Sequence, residues 1–412
     1  MISIHNKKDC VGCNACVQSC PKNCIAMSFD EEGFLYPNIN LDACINCHIC
    51  EKVCPVLNVT LPQRPISAFA AKNINTKIQK ASSSGGVFFA IAKEFIKDGG
   101  IVFGAKFNEQ WEVVHDYTET VAGLKVFQGS KYVQSKIGNT YKQAEEFLKL
   151  GKKVLFTGTP CQIRGLDLYL KKDYGNNLLK MDFICHGVPS PMIWNKYLRT
   201  LIGNINDRIS ESQTSVIHPS VLKLKDIRFR DKKLGWERYG FALDGFFIKN
   251  GKLDSDKLLN LFFQEHKFNI YMKGFLNDIY LRPSCYSCPV KCLRSSSDIT
   301  IGDFWGISKK YPELYDSNGV SLILFNTLKS KGININDLIL KEVDFDFVAN
   351  ENSAITSSPI EPKCRRKFFN EFRKKGISCI DKYVKKCQLN MIQLGYRKAC
   401  TAIKIINSLR HS

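Results

Sequence analysis

Cysteine spacing constrains this chain more than any other feature. Cys10-x2-Cys13-x2-Cys16-x3-Cys20-Pro21 recurs as Cys44-x2-Cys47-x2-Cys50-x3-Cys54-Pro55. Three cysteines two residues apart let one loop curl round a cubane and aim backbone N–H groups at its sulfides. The fourth, held by the proline that follows, points away toward a second cluster. Ligation is therefore expected to cross over. Cys10, Cys13, Cys16 and Cys54 would hold one 4Fe-4S cluster, and Cys44, Cys47, Cys50 and Cys20 the other. Zinc also accepts four thiolates, but zinc modules space CxxC pairs well apart instead of stringing three cysteines in one loop. Cys24 and His48 have no place in the pattern and are read as structural.

This run is that of bacterial two-cluster ferredoxins, so residues 1–60 are read as an α+β ferredoxin-like iron–sulfur domain. Two adjacent cubanes make a short wire for single electrons. That reading alone means an electron carrier or an electron-input module.

The whole chain of 412 residues has room for two or three domains. The opening MISIHNKKDC lacks the apolar stretch of a signal peptide, and no apolar run is long enough to span a membrane. A soluble cytoplasmic protein is expected, and in that reducing compartment eighteen cysteines point to metal or redox chemistry, not disulfides. The net charge of +20 is concentrated late, since residues 361–412 carry fourteen Lys/Arg against three Asp/Glu. Residues 1–60 carry four against six. No nucleic-acid motif accompanies the charge, so nucleic acid is not an expected partner. The basic tail from 356 to 412 is read as a helical C-terminal extension facing water, with peripheral membrane contact as the competing reading. Its Cys364, Cys379, Cys387 and Cys400 fit no metal spacing.

Residues 61–66 read as a linker. In SSSGGVFFAIAKEFIKD, apolar residues at 87, 88, 91, 92, 95 and 96 form a helical face that starts after Gly85-Gly86 and stops at Gly99-Gly100. Its N-terminus is a candidate phosphate cradle, although the chain has neither a GxGxxG fingerprint nor a P-loop motif. Strands are expected at 101–107 and 154–156, a more extended segment near 111–118, a helix around 139–150, and a strand over 178–185. This alternation predicts an α/β domain over 61–355 with a largely parallel or mixed sheet. Thr159-Pro160 looks like a helix start, which places Cys161 in a first turn. Cys161 and Cys185 then both end parallel strands, at the edge where open α/β sheets bind ligands. With Cys285-x2-Cys288 they make four thiolates, enough for a third cubane, while Cys292 could stand in for either member of the CxxC.

SSSGGVFFAIA, GSKYVQS, FTGTPCQIRGL, DFICHGVPS, FRDKKLGW and RPSCYSC with DITIGDFWG, in that order over about 65–350, resemble the beta subunit of coenzyme F420-reducing hydrogenases and dehydrogenases. The resemblance implies an FAD flavoprotein with one further 4Fe-4S cluster, ligated by Cys161, Cys185, Cys285 and Cys288. It carries phosphate contacts onto Ser83, Ser84, Gly85 and Gly86, and flavin contacts onto Lys131 and Tyr132. Arg228, Arg230 and the Asp298–Asp303 segment match further motifs. The expected function is a cytoplasmic oxidoreductase passing electrons between a one-electron carrier such as ferredoxin, or another redox protein, and a hydride partner at FAD. That partner would be coenzyme F420 or another organic substrate. The competing reading is an electron-transfer subunit that feeds a partner enzyme and has no substrate site of its own.

Overall fold

A computed structural model describes residues 1–212, 221–249, 252–253 and 258–388. Each N-terminal cysteine run folds as a loop closed by one helical turn, Ala15–Gln18 in the first and Ile49–Lys52 in the second. Asn14 and His48, one before each turn, take left-handed backbone at φ +64° and +58°. Asn and His tolerate that region better than most side chains. His48 therefore has a backbone role equivalent to that of Asn14, and its ring also meets Glu51 at 3.0 Å. Between the runs, β1 (Ile25–Phe29) and β2 (Leu35–Ile39) pair antiparallel, with Ile25 opposite Ile39.

Past the linker the chain lays down β3 (Ser67–Asn73), β4 (Ile101–Phe107), β5 (Val113–Thr118), β6 (Val154–Gly158) and β7 (Leu178–Phe183). It leaves for a separate antiparallel sheet of β8 (Val221–Asp231), β9 (Gly240–Lys249), β10 (Lys252–Leu253) and β11 (Leu259–Glu265). It then returns with β12 (Ile299–Asp303), β13 (Ser321–Phe325) and β14 (Leu338–Glu342). The main sheet runs β14-β3-β13-β12-β7-β6-β4-β5. Its centre, β12-β7-β6-β4, is parallel, and both flanks are antiparallel. Of the two expected sheet types, the mixed one forms. Parallel neighbours need a crossover element, and the helices Thr140–Lys149 and Pro160–Leu170 supply it before and after β6. Only short helical turns join β12 to β13, so those strands reverse.

The expected strand ending on Cys185 stops earlier, at Phe183. Ile184 N donates to Ile301 O, and the chain then leaves the sheet. Cys185 consequently lies in the loop beyond the strand. Along β4, Val102 packs with the helix Val87–Lys97 on one face, whereas Ile101 and Phe103 pack with Tyr141, Ala144, Ile163 and Leu166 on the other. Val11, Cys13, Ala15 and Val53 of the N-terminal module join that second layer.

The basic C-terminal segment is helical at Arg365–Lys375 and 380–388, and it is built into the core instead of facing water alone. Phe368, Phe372, Ile380 and Val384 are buried in the cluster that holds Phe34, Trp194 and Tyr280. The Sγ atoms of Cys364 and Cys387 lie 3.0 Å apart there. The remainder of the expected extension, 389–412 with Cys400, falls outside the described residues. Among the described residues no helix is long and apolar enough to cross a membrane.

Candidate metal centres

Thirteen of the cysteines named above line three cavities. Cys10, Cys13, Cys16 and Cys54 surround the first, with Val11, Gly12 and Pro55. Cys20, Cys44, Cys47 and Cys50 surround the second, and Cys24 joins them with its Sγ 3.4 Å from that of Cys20. Cys161, Cys185, Cys285 and Cys288 line the third. Cys292 is outside that lining; its thiol reaches Thr356 O at 3.4 Å. Among the described residues no three ligand-type side chains converge on a point that would hold a single ion. Four thiols around one cavity match the ligand count of a 4Fe-4S cluster.

Local sequence explains how the third set is held. Thr159 caps the helix Pro160–Leu170 in a reciprocal box with Gln162, and Pro160 starts it, so Cys161 sits in the first turn. Its Sγ lies 3.2 Å from Thr159 Oγ1. Val188 N, in the loop that follows Cys185, donates to Cys285 Sγ at 3.4 Å. Lys291 spans the loop ends, donating to Cys185 O at 2.6 Å and to Ala354 O at 2.7 Å. Asp182, also in the cavity wall, is buried and accepts from Ser295 and Thr300 hydroxyls, each at 2.6 Å. Burial pushes its carboxyl up to about 6.

Without iron these thiols are poor nucleophiles. Burial, followed by repulsion from Cys288, pushes Cys161 up to about 12. The same two causes push Cys285 up to about 11. Burial drives Cys185 well above its ordinary value, against the pull of Lys291. A free-thiol role for Cys161 would need a thiolate at neutral pH, and the site opposes one. Ligation to a cationic metal centre would remove that conflict, because binding displaces the protons.

The cavities stand in series. Cys16, Cys20, Cys50 and Cys54 pack in one cluster, so the first two share a wall. The first meets the third through Gly165, one turn after Cys161, about 6 Å along the helix. A Cβ on Gly165 would lie 3.0 Å from Cys13 Cβ, 3.1 Å from Cys13 Sγ and 3.0 Å from the Tyr141 hydroxyl. Only the missing side chain lets the Cys13 loop approach this closely. Fully buried Tyr141 fills the remaining gap, donating to Gln162 O at 2.7 Å. Val11 of the first loop lines the third cavity directly. Sequence reading missed Gly165, Tyr141, Lys291 and Asp182. A glycine inside a helix was the one available signal.

Ser83, Ser84, Gly85 and Gly86 lead into the helix Val87–Lys97, with Gly86 as N-cap at φ +88°. Ser130 donates to Ser83 Oγ through both its N (2.7 Å) and its Oγ (2.9 Å), which brings the 129–135 loop against the serines. Ser84 Oγ donates to Val320 O at 2.9 Å, and Gly85 N to Ser321 Oγ at 2.8 Å. Lys131 turns back onto carbonyls of its own loop, at Val126, Gln128 and Gly129. Tyr132 OH accepts from Arg230 at 3.2 Å. Buried Arg230 forks onto Asp303 at 2.8 and 3.2 Å, lies 4.0 Å over the Tyr239 ring, and leaves its Nε without a partner. Trp236 donates to the same carboxylate at 2.8 Å and stacks on Trp305 at 4.9 Å. Lys232 donates to Ser84 O at 2.6 Å, and burial together with Arg230 pushes its ammonium down to about 7. The unpaired Arg230 Nε–H fits an anionic group, whereas Lys131 and Lys232 each already donate to three carbonyls and the serine hydroxyls are engaged within the protein. Arg228 is occupied by Asp226, Asp231 and Asp244. Asp298 accepts from Lys180 N and the Thr327 hydroxyl, a structural use.

Residues 151–342 match the family model that describes the C terminus of the beta subunit of coenzyme F420 hydrogenase/dehydrogenase. Residues 9–58 match the model of a 4Fe-4S dicluster domain. The F subunit of the F(420)H(2) dehydrogenase of Methanosarcina mazei is 22% identical over 190 residues, covering 43% of this chain and 53% of that protein. The ferredoxin-type protein NapF of Haemophilus influenzae is 35% identical over 51 residues, covering 12% of this chain and 29% of that protein. The chain thus spans about half the length of the first of these curated relatives and less of the second. A chain of the F420-reducing NiFe hydrogenase complex from Methanosarcina barkeri, solved with xenon, is 14% identical with a TM-score of 0.40, over 79% of this chain and 93% of that one.

Proposed function

Because this chain joins a 4Fe-4S dicluster domain to the C-terminal domain of the coenzyme F420 hydrogenase/dehydrogenase family of beta subunits, we propose that it is an iron–sulfur flavoprotein oxidoreductase. It would connect one-electron carriers to a two-electron hydride partner, coenzyme F420 or another organic substrate. The supporting observation is the series of three cysteine-lined cavities, second to first to third, in packing contact throughout. Cys20, Cys44, Cys47 and Cys50 would hold the outer cluster, Cys10, Cys13, Cys16 and Cys54 the middle one, and Cys161, Cys185, Cys285 and Cys288 the inner one. Ser83–Gly86, Lys131, Tyr132, Arg230 and Lys232 would hold FAD. When bound, such clusters supply single-electron transfer, and FAD supplies hydride exchange with an organic partner.

The chain's own residues divide the remaining work. Cys47 and Ile45 are exposed beside the second cavity, where a ferredoxin or another redox protein can dock. Gly165 and Tyr141 exclude water between the first and third cavities. Arg230, held by Asp303, supplies a fixed positive charge and an unpaired N–H near the serine-rich helix start. A cytoplasmic setting would keep the thiols reduced for cluster assembly.

The test is a cofactor count on anaerobically reconstituted protein, with extracted flavin identified by chromatography. About twelve irons and twelve sulfides with one FAD per chain support the reading. About twelve irons without flavin would turn it into an electron-transfer subunit without a substrate site. About eight irons without flavin would confine the chemistry to the N-terminal module. With FAD present, anaerobic absorbance changes on adding reduced coenzyme F420 would identify the hydride partner.

A further inference from the structure

Arg282 is fully buried, yet none of its side-chain acceptors is a carboxylate. Its guanidinium donates to Cys10 O (2.7 Å), Gln134 Oε1 (3.0 Å), Cys10 Sγ (3.4 Å) and Leu35 O (2.9 Å). The rings of Tyr36 and Phe34 lie 4.3 and 5.5 Å from its central carbon. An arginine side chain stays charged at any pH a protein survives. Burying that charge without a counter-charge is costly. Carbonyls, an amide and aromatic faces solvate a cation, but none of them neutralises it. Among its hydrogen-bond partners, the Cys10 sulfur is the one that can carry negative charge.

The surroundings are shaped for this contact. Gly12, two residues from Cys10, adopts φ +71°, and a Cβ there would lie 2.7 Å from Arg282 Nη1. Gln134 accepts from Arg282 and donates to Val11 O at 3.1 Å, which fixes the loop around it. On its other side Arg282 is the N-cap of the short 3-10 turn Pro283–Ser287, and its carbonyl accepts from Cys285 N at 2.9 Å. A single residue thus joins a cysteine of the first cavity to a cysteine of the third. The second cavity has no arginine or lysine side chain in an equivalent contact with its sulfurs among the described residues; Lys22 reaches Cys20 only through its backbone N–H, and the Met1 ammonium that also lines the cavity is paired with Glu51 at 2.6 Å.

We propose that Arg282 raises the reduction potential of the cluster held by Cys10, Cys13, Cys16 and Cys54 above that of the cluster held by Cys20, Cys44, Cys47 and Cys50. This rests on the three-cluster reading above. Reduction adds one negative charge to a cluster, and a fixed cation donating to a ligand sulfur stabilises the reduced form. The effect is local because the guanidinium reaches one of the two dicluster sites. It makes transfer from the outer site to the middle site downhill, toward the core.

The test is an EPR-monitored redox titration of the anaerobically reconstituted full chain, with iron counted per chain. Arg282→Gln is expected to keep its iron and to disfavour reduction of one dicluster signal at least tenfold, about 59 mV for one electron. The other dicluster signal should stay in place. Arg282→Lys keeps the charge and should recover most of the shift. Unchanged potentials in Arg282→Gln with full iron, or equal shifts of both signals, would overturn the inference. Should Arg282→Gln lose the first cluster, Arg282→Lys decides: wild-type potentials support a role for the charge, and a shift as large as the neutral variant's in any retained form refutes it. If the wild type shows no 4Fe-4S signal, or Cys10→Ala costs it no iron, the three-cluster premise fails and the role of residue 282 falls with it.

Discussion

Replacing Glu32 with Gln tests whether the C-terminal helix clamps the N-terminal module. Glu32 sits in the connection between β1 and β2, and Arg365 grips it with two N–H donors at 2.8 and 2.6 Å. Both residues are buried, at 8% and 5% exposure, so solvent screens the pair little. Removing one member of a buried pair costs about 3–5 kcal/mol, because the other charge is left unpaired. Two features place this case at the low end. Arg365 also donates to Leu281 O at 2.8 Å, and its guanidinium lies 4.7 Å from the Phe369 ring. Those contacts survive the substitution, and the Gln amide can still accept one bond. The expected loss is therefore about 3 kcal/mol. Urea unfolding of anaerobic holoprotein would be followed by visible absorbance, which reports on the iron–sulfur module, and by far-UV circular dichroism. The absorbance transition of Glu32→Gln should move to lower urea. A paired Glu32→Leu/Arg365→Met change should regain much of the loss, because an apolar pair avoids the desolvation cost. A shift below about 0.5 kcal/mol, within the range of ordinary surface substitutions, would show that the clamp contributes nothing.

Cys161→Ser should lower iron by about four per chain and leave the dicluster EPR signals in place; loss of all iron would mean that the third site is not separate. Gly165→Ala sets a helix-propensity gain of about 1 kcal/mol against an overpacking cost of about 1–3 kcal/mol. A net loss of thermal stability with an altered first-cluster EPR line shape is expected, whereas a stabilised protein with an unchanged spectrum would deny the close approach of Cys13. Burial holds Cys16 and Cys161 at about 12 and Cys285 at about 11 in the iron-free fold, against an ordinary 9.0. Folded values above unfolded ones give stability that is full below pH 9 and lost as pH rises toward 12. Iron-free protein should therefore lose melting temperature between pH 8.5 and about 10.5, and reconstituted protein, whose thiolates are already ionised, should lose less. Parallel losses in the two forms would refute this. Asp303→Asn, which weakens the hold on Arg230, should lower the flavin content of reconstituted protein; an unchanged content would remove Arg230 from the proposed FAD site.

Local chemistry made much of this chain legible before folding. Dicluster spacing is a short-range pattern, since each loop must wrap its own cluster, and residues 9–58 match a 4Fe-4S dicluster domain. The helix start at Thr159-Pro160 and the buried strands expected over 154–156 and 178–185 were readable for the same reason, as caps and apolar runs act over a few residues, though the second strand ends at Phe183. Sequence left open whether the sheet would be parallel or mixed, because strand direction depends on what connects the strands. The basic segment after 356 forms the expected helices over its described part, but Phe368, Phe372 and Val384 bury them in the core instead of leaving them to water.

Sequence by itself determined which cysteines could share a site: the two N-terminal runs and the CxxC at Cys285 and Cys288. Tertiary structure alone decided their order in space. It placed Cys24 at the second cavity and Cys292 outside the third. It set Cys13 against Gly165 from 152 positions away and Arg282 against Cys10 from 272 positions away. Such contacts leave no periodic trace, because they depend on the packing of whole layers. Spacing along the chain encodes a loop that can hold a cluster; only burial and long-range packing encode which cysteine-lined cavity touches which, and which charge lies between them.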